Sequence, residues 1–206
     1  MVATDGFRLS VKNSLFKNPL NLTTDNPLTF LIPARSLAEV IKVSKNASTI
    51  KCGPTPDGHQ FLFVLDDIEL ISRLVEGDFP DYQRIIPESS ATTLVLDKEE
   101  FAQAVKMSSV FARESANVVK FKIGNNQVEL SASTPQVGQN RVEVEAKVDG
   151  PPLEIAFNYK FLTDFLANSK GKQITLLLNQ SLTPCVFKDS ADSDFFHIIM
   201  PVRIQD

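Results

Sequence analysis

The chain has 206 residues, enough for one large domain or two small ones with a substantial core. Hydrophobic residues make up 43% and charged residues 22%, with 8 Gly and 12 Pro, which excludes a disordered tail or a fibrous repeat. Twenty-one Lys and Arg against 25 Asp and Glu leave a net charge of −4, which excludes a uniformly basic binder of nucleic acid.

In chain order, MVATDGFRLSV reads as a strand, with no basic region followed by an apolar run that would mark a secretory signal. No apolar stretch approaches the roughly 18 residues of a membrane span. A cytoplasmic location is therefore expected, with Cys52 and Cys185 as buried free thiols and the sequons at Asn21, Asn46 and Asn179 as chance matches. LTFLIP is a short strand leading into a helix, ARSLAEVIKVSKN from Ala34, in which Leu37 and Ile41 stand one turn apart and face a core. Three strands follow, STIKCG, QFLFVLD and IELISRLV, and then FPDYQRIIPESSAT reads as a linker.

The same order recurs twice. TTLVLD leads into KEEFAQAVKMSSVFARE, with Phe101 and Val105 as the matching pair, followed by VVKFKIG, QVELSAS and RVEVEAKV. LEIAFN leads into YKFLTDFLANSK, with Phe161 and Phe165, followed by QITLLLN, PCVFKD and FFHIIMPVRI. Asp97 and Asn158 suit the N-cap position, since a short side-chain oxygen accepts from first-turn amides. From Arg141 to Val148 apolar and charged residues alternate strictly, the mark of an antiparallel strand with one wet face. Three strand–helix–three-strand units of about 60 residues imply an α+β fold of repeated βαβββ units, helices on one side of antiparallel sheets. Units two and three pair into a complete domain over 90–206. Unit one, with the opening strand, forms half of another over 1–89.

Little in the chain suits catalysis. His59 lies in a turn and His197 within the last strand, and neither neighbours a nucleophile at triad-like spacing. Asp66, Asp67 and Glu69 have the hard oxygens of a divalent-cation site, which would suit a metal-dependent nuclease or phosphoesterase; a charged β-turn is the simpler reading. A β-rich interaction scaffold unrelated to DNA is the other alternative. No phosphate-cradling glycine loop or zinc-type Cys/His spacing is present, so no metal or cofactor is expected. The three helical stretches sum to +3, leaving −7 for the rest. Solvated helix faces explain such a distribution, as does a surface that attracts DNA weakly and without sequence preference.

Five blocks carry a resemblance: VATDGFRLSV, SRLVEGDFPDYQRIIP, ESANVVKFKI, LEIAFNYKFLTDFL and IIMPVRI. Together and in this order they resemble the bacterial DNA sliding clamp, the beta subunit of DNA polymerase III holoenzyme. The resemblance implies a DNA-clamp fold and a non-catalytic processivity factor, in which 1–89 is the second half of the middle domain and 90–206 the C-terminal domain. Members form homodimeric rings around double-stranded DNA, with helices lining the channel. That places Arg35, Lys42, Lys45, Lys98, Lys106, Lys160, Lys170 and Lys172 toward DNA and Val110 and Phe111 at the dimer interface, whose other half, in the first domain, lies outside this sequence. It also implies a pocket for short peptides of polymerase subunits, the clamp loader, repair polymerases and ligase. Carried over by motif, its residues are Thr4, Phe7, Arg8, Leu9, Pro87, Pro184, Ile198, Met200 and Val202, with Phe7 standing where a histidine is frequent. On this resemblance the chain is expected to be a truncated portion of a longer clamp polypeptide, missing its first three repeats.

Overall fold

Among the residues described by the structure, a computed structural model covering 1–15, 28–114, 116–134 and 138–204, the chain runs as follows. β1 (Val2–Thr4) and β2 (Arg8–Lys12) precede α1 (Ala34–Val43), β3 (Ile50–Pro54), β4 (Gln60–Leu65) and β5 (Ile68–Arg73). The second unit holds β6 (Thr92–Asp97), α2 (Lys98–Ala112), β7 (Val118–Gly124), β8 (Gln127–Thr134) and β9 (Gly138–Asp149). The third holds β10 (Leu153–Asn158), α3 (Tyr159–Asn168), β11 (Gln173–Leu178), β12 (Cys185–Asp189) and β13 (Asp192–Ile199). The sequon at Asn21 lies outside the described residues.

The helices start where the sequence places them. The Asp97 carboxylate accepts from the amides of Glu99 and Glu100 at 2.8 and 3.1 Å, and the Asn158 side chain accepts from Lys160 N at 3.0 Å. On β9 the valines at 142, 144 and 148 turn inward while Glu143, Glu145 and Lys147 are exposed or at the rim, as the alternation requires.

Contacts divide the chain into two compact units, Leu15–Asp81 and a discontinuous one of Met1–Ser14 with Tyr82–Asp206. The boundary differs from the sequence grouping at 89 because β2 pairs antiparallel with β13, setting Leu9 opposite Ile198 and Ser10 opposite His197. The stretch read as a linker is also partly structured, with a 3₁₀ turn at Tyr82–Ile85 whose Tyr82 packs with Ile86 on Leu9, Val11, Val186 and Ile198.

In the larger unit ten strands form one sheet in the order β1-β2-β13-β12-β11-β6-β9-β8-β7-β10. The two repeats exchange their leading strands. β6 pairs with β11, placing Leu94 opposite Leu176, and β10 pairs with β7, placing Ile155 opposite Phe121. Each leading strand also meets the end of its own repeat: β6 pairs with β9, and Ala156 O accepts from Val202 N at 2.8 Å. α2 packs against α3 and onto β8 and β9. The core is a continuous run of phenylalanines, Phe101–Phe121–Phe157–Phe187–Phe165, with centroids 5.3–5.9 Å apart and mostly edge-to-face.

The smaller unit is a single repeat. β3, β4 and β5 form a three-stranded sheet, with Phe61, Phe63 and Leu65 packed against Val40 and Leu37 of α1. Three expectations fail here. Ile41 is exposed rather than facing a core, and LTFLIP forms no strand, although Leu31 O accepts from Val75 N at 2.8 Å. Cys52 is exposed as well, and only Cys185 is buried. The sequence pattern anticipated a covered face, and no strand among the described residues lies along the outer edge of β3.

Candidate partner-docking face at the β2–β13 seam

The turn between β1 and β2 is built by its own side chains. The Asp5 carboxylate accepts from the amides of Phe7 and Arg8, both at 3.0 Å, and Thr4 Oγ1 accepts from Gly6 N while donating to Arg8 O at 2.8 Å. Gly6 has φ +88°, a conformation few other residues tolerate. The turn thereby fixes Phe7 and Arg8 at the head of β2. Met200 N donates to Phe7 O at 2.9 Å, bringing the end of β13 to the same place.

Arg8 is held on three sides. Its Nε donates to Asp5 at 3.0 Å, its Nη1 donates to Asp164 of α3 at 2.7 Å, and its guanidinium lies 4.7 Å above the Phe161 ring. Phe7 stacks beside the same ring with centroids 6.5 Å apart. Burial opposes ionisation of Asp5, but the Phe7 amide and Arg8 outweigh it and hold the carboxyl below the usual range. Phe7 is 64% exposed and Met200 36%, whereas Leu9 and Ile198, paired across the seam, are buried with Tyr82 and Ile86 against them. The face is therefore an apolar and aromatic surface with one oriented guanidinium.

Thr4, Phe7, Arg8, Leu9, Ile198 and Met200 thus come together. Pro87 follows Ile86, which packs on the Leu9 cluster, and Pro184 precedes Cys185, the strand partner of Ile199; both prolines are half-buried. Val202 departs from the group. It lies along β10 and lines a separate cleft of about 560 Å³ with Val118, Lys120, Ser131 and Arg203. Sequence reasoning missed Asp5, Asp164 and Phe161. Asp5 was legible as an Asx turn before Gly6, but Asp164 and Phe161 meet Arg8 only through the fold.

His197 lies within the seam, on β13 opposite Ser10. Its Nδ1 is 2.7 Å from Ser10 Oγ, its ring stacks on Phe165 at 5.5 Å, and its Nε2 is buried without a partner. Burial, reinforced by the Arg8 charge, pushes its pKa down to about 4, so the ring is neutral.

The family model for the C-terminal domain of the DNA polymerase III beta subunit matches residues 83–203, and the model for its central domain matches residues 1–81. The chain belongs to the bacterial DNA sliding clamp family. It is 34% identical to the beta sliding clamp of Staphylococcus aureus over 204 residues, covering 98% of this chain and 52% of that protein. The Chlamydia pneumoniae clamp is 32% identical over 210 residues, covering 100% and 54%. Among solved structures, the Thermotoga maritima beta subunit superposes with a TM-score of 0.88 at 32% identity, covering 99% of this chain and 54% of that one. A Bartonella birtlesii sliding clamp bound to griselimycin gives 0.88 at 27%, covering 98% and 54%. The chain spans about half the length of the curated clamps it matches.

The remaining residues singled out for a clamp role fall as follows. Arg35, Lys42, Lys45, Lys106, Lys160, Lys170 and Lys172 are exposed, with Lys42 held by Glu39 at 2.6 Å. Lys98 is committed within the fold, donating to Ser169 O at 2.7 Å. Val110 is exposed on α2, while Phe111 packs partly against the core. Asp66 caps a turn by accepting from Ser48 N and Oγ at 3.2 and 3.1 Å, and no group of three His, Cys, Asp or Glu suited to a metal occurs among the described residues. No helix among them is long and apolar enough to cross a membrane.

Proposed function

We propose that this chain carries the partner-docking surface of a clamp that keeps DNA polymerase processive. The observation that carries this reading is the seam itself. In a member of the clamp family, exposed Phe7 and Met200 meet at the head of the seam beside Arg8, and the seam itself is closed by the buried pair Leu9 and Ile198. Such a surface suits a short peptide whose apolar side chains settle on Phe7 and Met200 while a polar group reaches the Arg8 region. The occupants are clamp-binding segments of polymerase III subunits, the clamp loader, repair polymerases and ligase. In this reading 1–89 contains the second half of a middle domain and 90–206 the C-terminal domain. The chain acts by tethering, not catalysis, in the bacterial cytoplasm, and the exposed lysines of the helices give weak, salt-sensitive attraction to double-stranded DNA. In the assembled ring Val110 and Phe111 belong to the dimer contact.

Titration of a fluorescent glutamine- and leucine-containing clamp-binding peptide tests the site. Saturable binding is expected, weakened about tenfold, or about 1.4 kcal/mol, by each of Met200→Ala and Phe7→Ala. Binding that is absent, or indifferent to both substitutions, refutes the assignment.

A further inference from the structure

The cleft beside Val202 lies apart from the docking seam, on the face of the larger unit's sheet that the helices leave bare. β7 turns Val119, Phe121 and Ile123 into the core, and α2 packs on that side of β7, β8 and β9. Alternation sends Val118 and Lys120 to the other face, where Ser131 and Ser133 of β8 also line the cleft. Residues directly opposite in an antiparallel pair share a face, so the register Lys120–Ser131–Arg141 sets one cation on each side of a hydroxyl. Arg203 brings a third cation from the segment after β13, whose Val202 amide is bonded to β10.

In a chain whose net charge is −4, these cations stand without counter-charge. Lys120, Arg141 and Arg203 are exposed, and none of them enters an ion pair among the described residues. Among those residues no carboxylate lines the cleft, and the hydroxyls of Ser131 and Ser133 make no hydrogen bond. Lys122, the next residue along the same face, is different: it sits 4.0 Å from Glu154 and opposite Glu129. The positive field is therefore local to the cleft, and it selects an anion. Val118, Val202 and Ile204 make the rest of the lining aliphatic, within about 560 Å³, a volume suited to a short peptide. Nucleic-acid bases would find no aromatic ring there to stack on. A peptide's carboxylates, by contrast, can meet Lys120 and the Arg203 fork while its aliphatic side chains meet the valines.

We infer that this cleft binds an acidic peptide segment, its carboxylates on Lys120 and Arg203 and its aliphatic side chains against Val118 and Val202. The cleft contains neither Phe7 nor Met200, so it is a second recognition site on the same unit and does not depend on what occupies the seam. The helices carrying Lys106 and Lys160 pack on the other face of the sheet, which separates this basic surface from the one proposed to attract DNA.

Fluorescence anisotropy on residues 1–206, with a short labelled peptide of Asp, Glu and Leu at low salt, tests the assignment. Saturable binding is expected, weakened about tenfold by each of Lys120→Ala and Arg203→Ala. Lys122→Ala, which removes an equal charge from the same face, should leave it unchanged. All three positions are exposed, so the variants keep the fold. Lys120→Glu should turn the preference toward a peptide of Lys and Leu. Met200→Ala, which weakens the seam's own peptide, should not affect the acidic one, so failure at either site is read separately. Absence of saturable binding overturns the proposal, as does equal loss in Lys122→Ala or full affinity in both Lys120→Ala and Arg203→Ala. Displacement of the peptide by an equimolar thymidine oligonucleotide would make the cleft a nucleic-acid site and overturn it too.

Discussion

His197 should make the larger unit sensitive to mild acid. Its ring is buried on the α3 side of the β2–β13 pair, stacked on Phe165, with Ser10 on Nδ1 and nothing on Nε2. The folded state therefore resists protonation down to about pH 4, whereas the unfolded chain takes up the proton near 6.5. The sign follows: the unfolded state binds more protons between these values, so the contribution is complete above pH 6.5 and is lost as pH falls toward 4. The full loss is about 3 kcal/mol, of which about 2 kcal/mol is gone at pH 5. Both tyrosines, Tyr82 and Tyr159, lie in the larger unit, so tyrosine fluorescence in urea follows its unfolding alone. Compared with pH 7.5, the wild-type midpoint at pH 5 should fall steeply, and His197→Gln should flatten the dependence even if it lowers stability at neutral pH. An equal pH dependence in the variant would refute the reasoning, and so would a His197 proton resonance titrating near 6.5.

Three further outcomes follow from other contacts. Asp189 accepts from the amides of Lys170, Gly171 and Ala191 at 2.7–3.0 Å, so Asp189→Ala should destabilise the larger unit by about 3 kcal/mol in the same urea assay. Gly171→Ala should destabilise it too, because a Cβ there collides with the Asp189 carboxylate and the Ser190 hydroxyl; an unchanged midpoint would count against the clasp. Phe187→Ala, which opens a cavity between Phe157 and Phe165, should cost about 4 kcal/mol, and a loss under 1 kcal/mol would mean that the aromatic run is not the core.

The legible parts of the fold were those encoded locally. Helix starts at Asp97 and Asn158, the alternation along β9, and the repeat itself come from residues near one another in sequence. The parts that were not legible depend on distant pairings. Nothing around Arg8 reveals that Asp164 and Phe161 will hold it, since α3 reaches it only after the sheet has assembled. Ile41 and Cys52 failed for the converse reason: each has the pattern of a buried position, but pattern cannot say whether another element packs against it. Val202 was grouped with Met200 by the carried-over IIMPVRI motif, yet its amide donates to Ala156 O of β10.

The pairing of β2 with β13 has a consequence for biosynthesis. Ser10 and His197 meet across a separation of 187 residues, and the smaller unit is encoded within that loop. Closing so long a loop is slow relative to forming local hairpins, and on the ribosome it waits until the strand ending at Ile199 has emerged. The seam carrying Phe7, Arg8 and Met200 is thus the last part of the larger unit to form. A nascent or C-terminally clipped chain that lacks β13 would leave β2 without its partner strand, and the surface proposed to dock partners would be absent from it.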